Sequence, residues 1–178
     1  MSRGAVVALA AAFLLGGCGT SGDSQAQRQV FVTYLARVEP IRLGVNKLLG
    51  KADPTLSAYR DHRLAPRAAQ RRMDALERRF AIYATRIAAV PVVPTAMRVA
   101  QQAYAHTYVL EDAYLGSLAA ALPERQFDAL PRTQSQQRAT IIGWRIRLEL
   151  TARRLGVRLP ADIQVAGRGE IAPSPTGS

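Results

Sequence analysis

The chain has 178 residues, of which 48% are hydrophobic, 21% charged and 6% aromatic. That is the length of about one domain with enough apolar material for a core, which excludes a polar disordered chain. A single cysteine excludes a disulfide scaffold and any cysteine-cluster metal centre. The 24 basic and 13 acidic residues leave a net charge of +11, carried by arginine everywhere except Lys47 and Lys51.

After Arg3, residues 4–15 run without a charge into Leu15-Gly16-Gly17-Cys18. Twelve residues span about 18 Å as a helix, well short of the roughly 30 Å hydrocarbon core, so the run reads as the apolar region of a signal peptide. Its ending, a branched apolar residue and two small residues before the only cysteine, resembles the lipobox of bacterial lipoprotein precursors. The resemblance covers residues 1 to about 20. It implies that the Cys18 thiol carries a diacylglycerol, that a peptidase cuts after Gly17, and that the mature chain begins at Cys18. The protein is then anchored outside the cytoplasm, on the cell membrane or on an outer membrane where the cell has one. Residues 18–26 read as the lipidated cysteine and a small, polar, flexible spacer.

Residues 27–158 carry helical rather than strand periodicity in four segments. In the first, Phe31, Val38 and Val45 recur every seven residues with Tyr34, Ile41 and Leu48 three further on; Pro40 predicts a kink and Gly50 a stop. Asp53-Pro54 reads as an N-cap and first helical position of the second segment, about 54–90, which Pro66 kinks or splits. Its stripe is Ala69, Met73, Leu76, Phe80, Tyr83, Ile87 and Val90, closed by Pro91-Val92-Val93-Pro94. The third segment, 95–122, is Ala-rich and apolar over a wide arc. A short helical turn over 123–130 precedes the fourth, 133–155, which places Ile141, Trp144, Leu148 and Leu155 on one face and ends at Gly156. Residues 159–178 are rich in Pro, Gly and Ser and read as a disordered tail. The fold expected is therefore all-α, an antiparallel up-down four-helix bundle with Pro-kinked helices, between a signal peptide and a disordered tail.

Motifs for chemistry are few. None of the six glutamates is followed by His three residues later, as a di-iron bundle requires, and no His-Glu-x-x-His or Gly-x-Ser-x-Gly occurs. His62 and His106, with Asp61 and Asp112 nearby in sequence, do not make a metal motif. Two glycine fingerprints match dinucleotide-binding spacing. Gly17-x-Gly19-x-x-Gly22 straddles the expected cleavage point, and Gly167-x-Gly169-x-x-Ala172 runs into Pro173 with no helix to follow. No cofactor or metal is expected. Two constellations remain. Tyr104, Tyr108, Glu111 and Leu115 share a helix face, placing a carboxyl in an aromatic stripe. It reads as core paired with an Arg of a neighbouring helix or, alternatively, as a proton-transferring or ligand site inside the bundle. Between Arg60 and Arg86 eight arginines face three acids, too many for pairs such as Asp74–Arg78 to neutralise. Arg67, Arg71, Arg72, Arg78 and Arg79 are the candidate anion-binding residues, and the fourth segment adds Arg138, Arg145, Arg147, Arg153, Arg154 and Arg158. The function expected is a non-enzymatic, lipid-anchored binding or scaffolding module with an anionic lipid, a wall polymer or a protein as partner. An enzyme or small-ligand receptor with its site at Tyr104, Tyr108 and Glu111 is the alternative. Nucleic acid is not an expected partner of an exported chain.

Overall fold

A computed structural model describes residues 20–167 and 169–176; the expected signal peptide and Cys18 lie outside the described residues. The fold is all-α. It has helices α1 (Thr20–Leu49), α2 (Ala52–Arg60), α3 (Pro66–Ala88), α4 (Arg98–Ala121) and α5 (Gln134–Leu155), with 3-10 turns at Thr95–Met97, Phe127–Ala129 and Ala161–Val165. No strand occurs among the described residues. None of the described helices is long and apolar enough to cross a membrane.

The heptad stripes meet in one core. Phe31, Tyr34, Val38, Ile41, Val45 and Leu48 of α1 are buried with Ala69, Met73, Leu76, Phe80 and Ile87 of α3 and Ile141, Trp144 and Leu148 of α5. Helix α3 packs against α1, α2 and α4, and α5 lies on α4 and α1. Gly44 sets the approach of α1 to α3: a Cβ there would come within 2.5 Å of the Tyr83 hydroxyl. The ring of Tyr83 occupies the space, which accounts for a glycine where it weakens a helix interior. Helix α5 closes as its sequence predicts, with Gly156 left-handed at φ 62 and the Val157 N–H returning to the Ala152 carbonyl.

Several expectations are corrected. Helix α1 continues through Pro40, which is exposed, so the donor it lacks is on the watered side and the helix does not stop there. Of the two alternatives expected at Pro66 the split is the one found, which is no correction: His62 turns left-handed at φ 58 after α2, and α3 starts with Pro66 itself. Asp53 is not an N-cap; α2 begins at Ala52 behind Lys51, and Asp53 sits in the first turn, where a negative charge suits the helix dipole. The spacer is not flexible from residue 20 onward, because α1 already begins at Thr20 with Asp23 in its first turn.

The largest correction concerns 159–178. Its described part is not disordered: Ile163, Ala166, Glu170 and Ala172 are buried against the helices. The glycines read as signs of disorder serve close packing instead. Gly167 adopts φ 98, open to glycine, beside Ile141, and a Cβ on Gly169 would come within 2.9 Å of the Asn46 side-chain oxygen.

Because Phe80 is fully buried and Ile82, two residues on, is exposed, Phe80→Ala should cost about 3–5 kcal/mol in denaturant unfolding while Ile82→Ala stays within about 0.5 kcal/mol. Equal losses would contradict the α3 register.

Candidate functional site

The core stripe of α1 carries a charge. Arg42 follows Val38 by four residues and precedes Val45 by three, so the helix turns its guanidinium inward, where it is fully buried. A buried charge requires counter-charges and hydrogen bonds. Arg42 finds three carboxylates. Nη1 donates to Glu39 Oε2 at 3.0 Å and to Asp162 Oδ2 at 3.2 Å, and Nε donates to Glu170 Oε1 at 3.3 Å. The Trp144 ring lies 5.9 Å from its guanidinium carbon. Glu39 belongs to the same helix, whereas Asp162 and Glu170 belong to the segment after α5.

Glu170 is in turn fully satisfied. Tyr104 Oη donates to its Oε2 at 2.5 Å, Tyr108 Oη lies at 3.5 Å from the same oxygen, and the Gly167 N–H reaches Oε1 at 3.2 Å. The two tyrosine hydroxyls are 2.9 Å apart, and Tyr104 stacks on Trp144 at 4.2 Å between centroids. Beside this cluster Trp144 Nε1 donates to Tyr34 Oη, Tyr34 donates to Gln101 Oε1, and Gln101 Nε2 donates to the Ile87 carbonyl. The chain ties α5, α1, α4 and the end of α3 together. A third group lies further along α4: Glu111 Oε1 accepts from the Ala172 N–H at 2.6 Å, and Oε2 accepts from the Gln137 amide at 3.2 Å.

Electrostatics follow from this burial. Desolvation, with the neighbouring Glu170 carboxylate, holds Tyr104 and Tyr108 well above the usual tyrosine range, so both remain neutral. Burial opposes the Arg42 charge, but Glu170, Tyr104 and Glu39 outweigh it and the guanidinium stays ionised. Burial and the adjacent Asp162 carboxyl push Glu39 up to about 7. Glu111 is also pushed to about 7 by burial, against the pull of the Ala172 N–H and Gln137.

Tyr104, Tyr108 and Glu111 are thus buried on one face of α4 as expected, but they do not form one site. The two tyrosines turn to Glu170, and Glu111 turns to the backbone of Ala172. The arginine expected to pair with Glu111 pairs with Glu170 instead. Arg42 and Glu170 were not singled out from sequence. The position of Arg42 between Val38 and Val45 was a usable signal, whereas Glu170 sat in a segment whose composition reads as disordered.

The candidate anion-binding residues Arg67, Arg71, Arg72, Arg78 and Arg79 are all exposed on the outward side of α3, and no ion pair among the described residues engages them. Arg72 and Arg79 flank a hollow of about 240 Å³ with Lys51, Thr55 and Leu76. Arg125 Nη2 donates to His62 Nδ1 at 3.0 Å, and His106 is exposed. No group of three His, Cys, Asp or Glu among the described residues could hold a metal ion. Compared with known proteins, the chain matches no family model, no curated protein and no solved structure.

Glu170→Ala leaves Arg42 buried with part of its counter-charge gone and should cost about 3–5 kcal/mol of stability. Glu170→Gln, whose side-chain oxygen can still accept from Tyr104, should cost less; unfolding titrations order the two. Glu111 gives a pH signature. Its folded pKa is raised, so the stability it allows is complete below about pH 4.5 and is lost as pH rises through about 7. Glu111→Gln, which does not titrate, should remove that share of the fall when unfolding is followed from pH 4.5 to 7.5.

Proposed function

We propose that this chain is a cell-envelope lipoprotein whose helical domain is a non-enzymatic binding or scaffolding module for an anionic partner, a lipid surface or a wall polymer. In this reading residues 1–17 are the signal peptide, Cys18 carries the lipid, and the domain sits outside the cytoplasm on the membrane that holds the anchor. The anchor motif supports the location. The distribution of polar groups carries the rest. Arg42, Glu170, Tyr104, Tyr108 and Glu111 in the interior are engaged with one another and with the chain's own C-terminal segment, while the exposed arginines of α3 and Arg138, Arg147, Arg153 and Arg154 of α5 face outward with no ion pair among the described residues. A surface of this kind attracts anions and gives binding that weakens with salt.

The four long helices are read as an antiparallel up-down bundle. Two grooves support this. One joins the start of α1 (Ala26, Val30) to the start of the α4 region (Thr95, Ala96) and the end of α5 (Leu155). The other joins the end of α1 (Asn46, Leu49) to the start of α5 (Gln134, Arg138). Since α1 begins at Thr20, two residues beyond Cys18, the lipid passes almost directly into a helix and the bundle stays near the bilayer.

Replacing Cys18 with Ala should shift the protein from the membrane to the soluble fraction or leave an uncut precursor, as read by fractionation and intact mass. A substituted protein that is processed and membrane-bound as before would overturn the anchor.

A further inference from the structure

Helix α5 has a second apolar stripe, on the side turned away from the core. Its inward face is Gln137, Ile141, Trp144, Leu148, Thr151 and Ala152. Half a turn round, Ile142, Ile146 and Leu150 recur at four-residue spacing and are 36%, 48% and 52% exposed. At 100° per residue Ala139 and Gly143 fall on the same ridge, so no long polar side chain interrupts it. Arginines border the ridge. Arg138 lies on one flank beside the Arg145–Glu149 ion pair, Arg147 and Arg154 lie on the other, and Arg153 continues it at the C-terminal end; these four arginines are exposed, and no ion pair among the described residues engages them. The outward face of α3 differs: among its arginines Ile82 is the only large apolar side chain that is strongly exposed.

An apolar ridge edged by arginines is the surface of a helix that lies in a bilayer interface. The aliphatic side chains reach the acyl boundary while the guanidiniums stay at the level of anionic headgroups. From this geometry we infer that the outward face of α5 docks on an anionic lipid bilayer, with Ile142, Ile146 and Leu150 inserted and Arg138, Arg147, Arg153 and Arg154 on the headgroups. Position agrees with charge. The C-terminal end of α5 shares a groove with the start of α1, where Thr151, Arg154 and Leu155 face Ala26, Gln27 and Val30, so the last turn of α5, with Arg153 and Arg154, lies at the end of the domain from which the chain leads back to Cys18. The inference rests on the lipoprotein reading for the nearness of a membrane and adds which face meets it: α5 rather than α3.

The test uses the chain from Cys18 onward, which contains every described residue, with Cys18→Ser so that no acyl chain contributes. Its binding is therefore independent of whether Cys18 is acylated in the cell, which the mass of the native protein reports separately. Sedimentation with vesicles of phosphatidylglycerol and phosphatidylcholine should show binding at least tenfold tighter than with phosphatidylcholine alone. With no other cysteine in the chain, Ile146→Cys carries an environment-sensitive dye, whose emission should shift to the blue and resist an aqueous quencher on binding. The combined Ile142→Ser, Ile146→Ser and Leu150→Ser change should weaken binding about tenfold or more with its far-UV spectrum and thermal midpoint unchanged. Arg71→Glu with Arg78→Glu on α3 should stay within about threefold of wild type. No binding to anionic vesicles at low salt, a dye that stays wet in the bound state, or loss of binding in the α3 variant with the α5 variant intact would each overturn the inference. So would lipid-independent dimerisation abolished by Ile146→Ser, which would make the ridge a contact between copies of the chain.

Discussion

A guanidinium with no access to water governs how this domain is closed. Without counter-charges Arg42 would be among the most unfavourable groups a small core could hold. The helices supply only Glu39 from the neighbouring turn; the other two carboxylates arrive on the segment that follows α5. That segment carries Asp162 to the edge of the cluster and Glu170 to its centre, and its route fixes the tyrosines of α4, the stacking of Tyr104 on Trp144 and the cap over Glu111. Interior polarity on three helices is thereby explained by one charge and the strand of chain that neutralises it.

The parts of the fold that were legible in the sequence are those that periodicity encodes. Phe31, Val38 and Val45 on α1 and Met73, Leu76 and Phe80 on α3 announce their faces because seven-residue spacing returns a side chain to one side of a helix. The parts that were not legible depend on tertiary partners. Composition makes the segment after α5 look unable to order itself. Its described part packs here because Gly167 and Gly169 let the backbone lie against Ile141 and Asn46, and because Glu170 meets a charge 128 residues earlier. Local signals behaved similarly: Pro66 acted as written, whereas Asp53 lost its capping role to a helix that began two residues sooner. At the polar site, sequence reading found the α4 members, which share a helix face, and missed the two charged members, which are joined only by the fold.

Arginine, so abundant here, serves two different physical ends. Arg42 is a structural charge held between the carboxylates of Glu39, Asp162 and Glu170. The exposed arginines of α3 form a nearly unbroken cationic face, while those of α5 frame aliphatic side chains. The same net charge therefore supports a diffuse field over one helix and an oriented, amphipathic edge on another, a distinction that a count of cations cannot make.

The contact between Arg42 and Glu170 also bears on how the chain is made. Asp162 and Glu170 follow all five helices in the chain, so packing of the helices alone leaves the polar cluster incomplete. Until that segment docks, the interior holds a cation with Glu39 as its one acidic neighbour. The collapsed helices are consequently a provisional assembly, held short of full stability until the loop of 128 residues closes. A chain that stops early, even with every helix intact, retains an uncompensated charge at its centre and is left open to proteolysis. Closure of the domain is thus tied to the docking of the segment that follows α5.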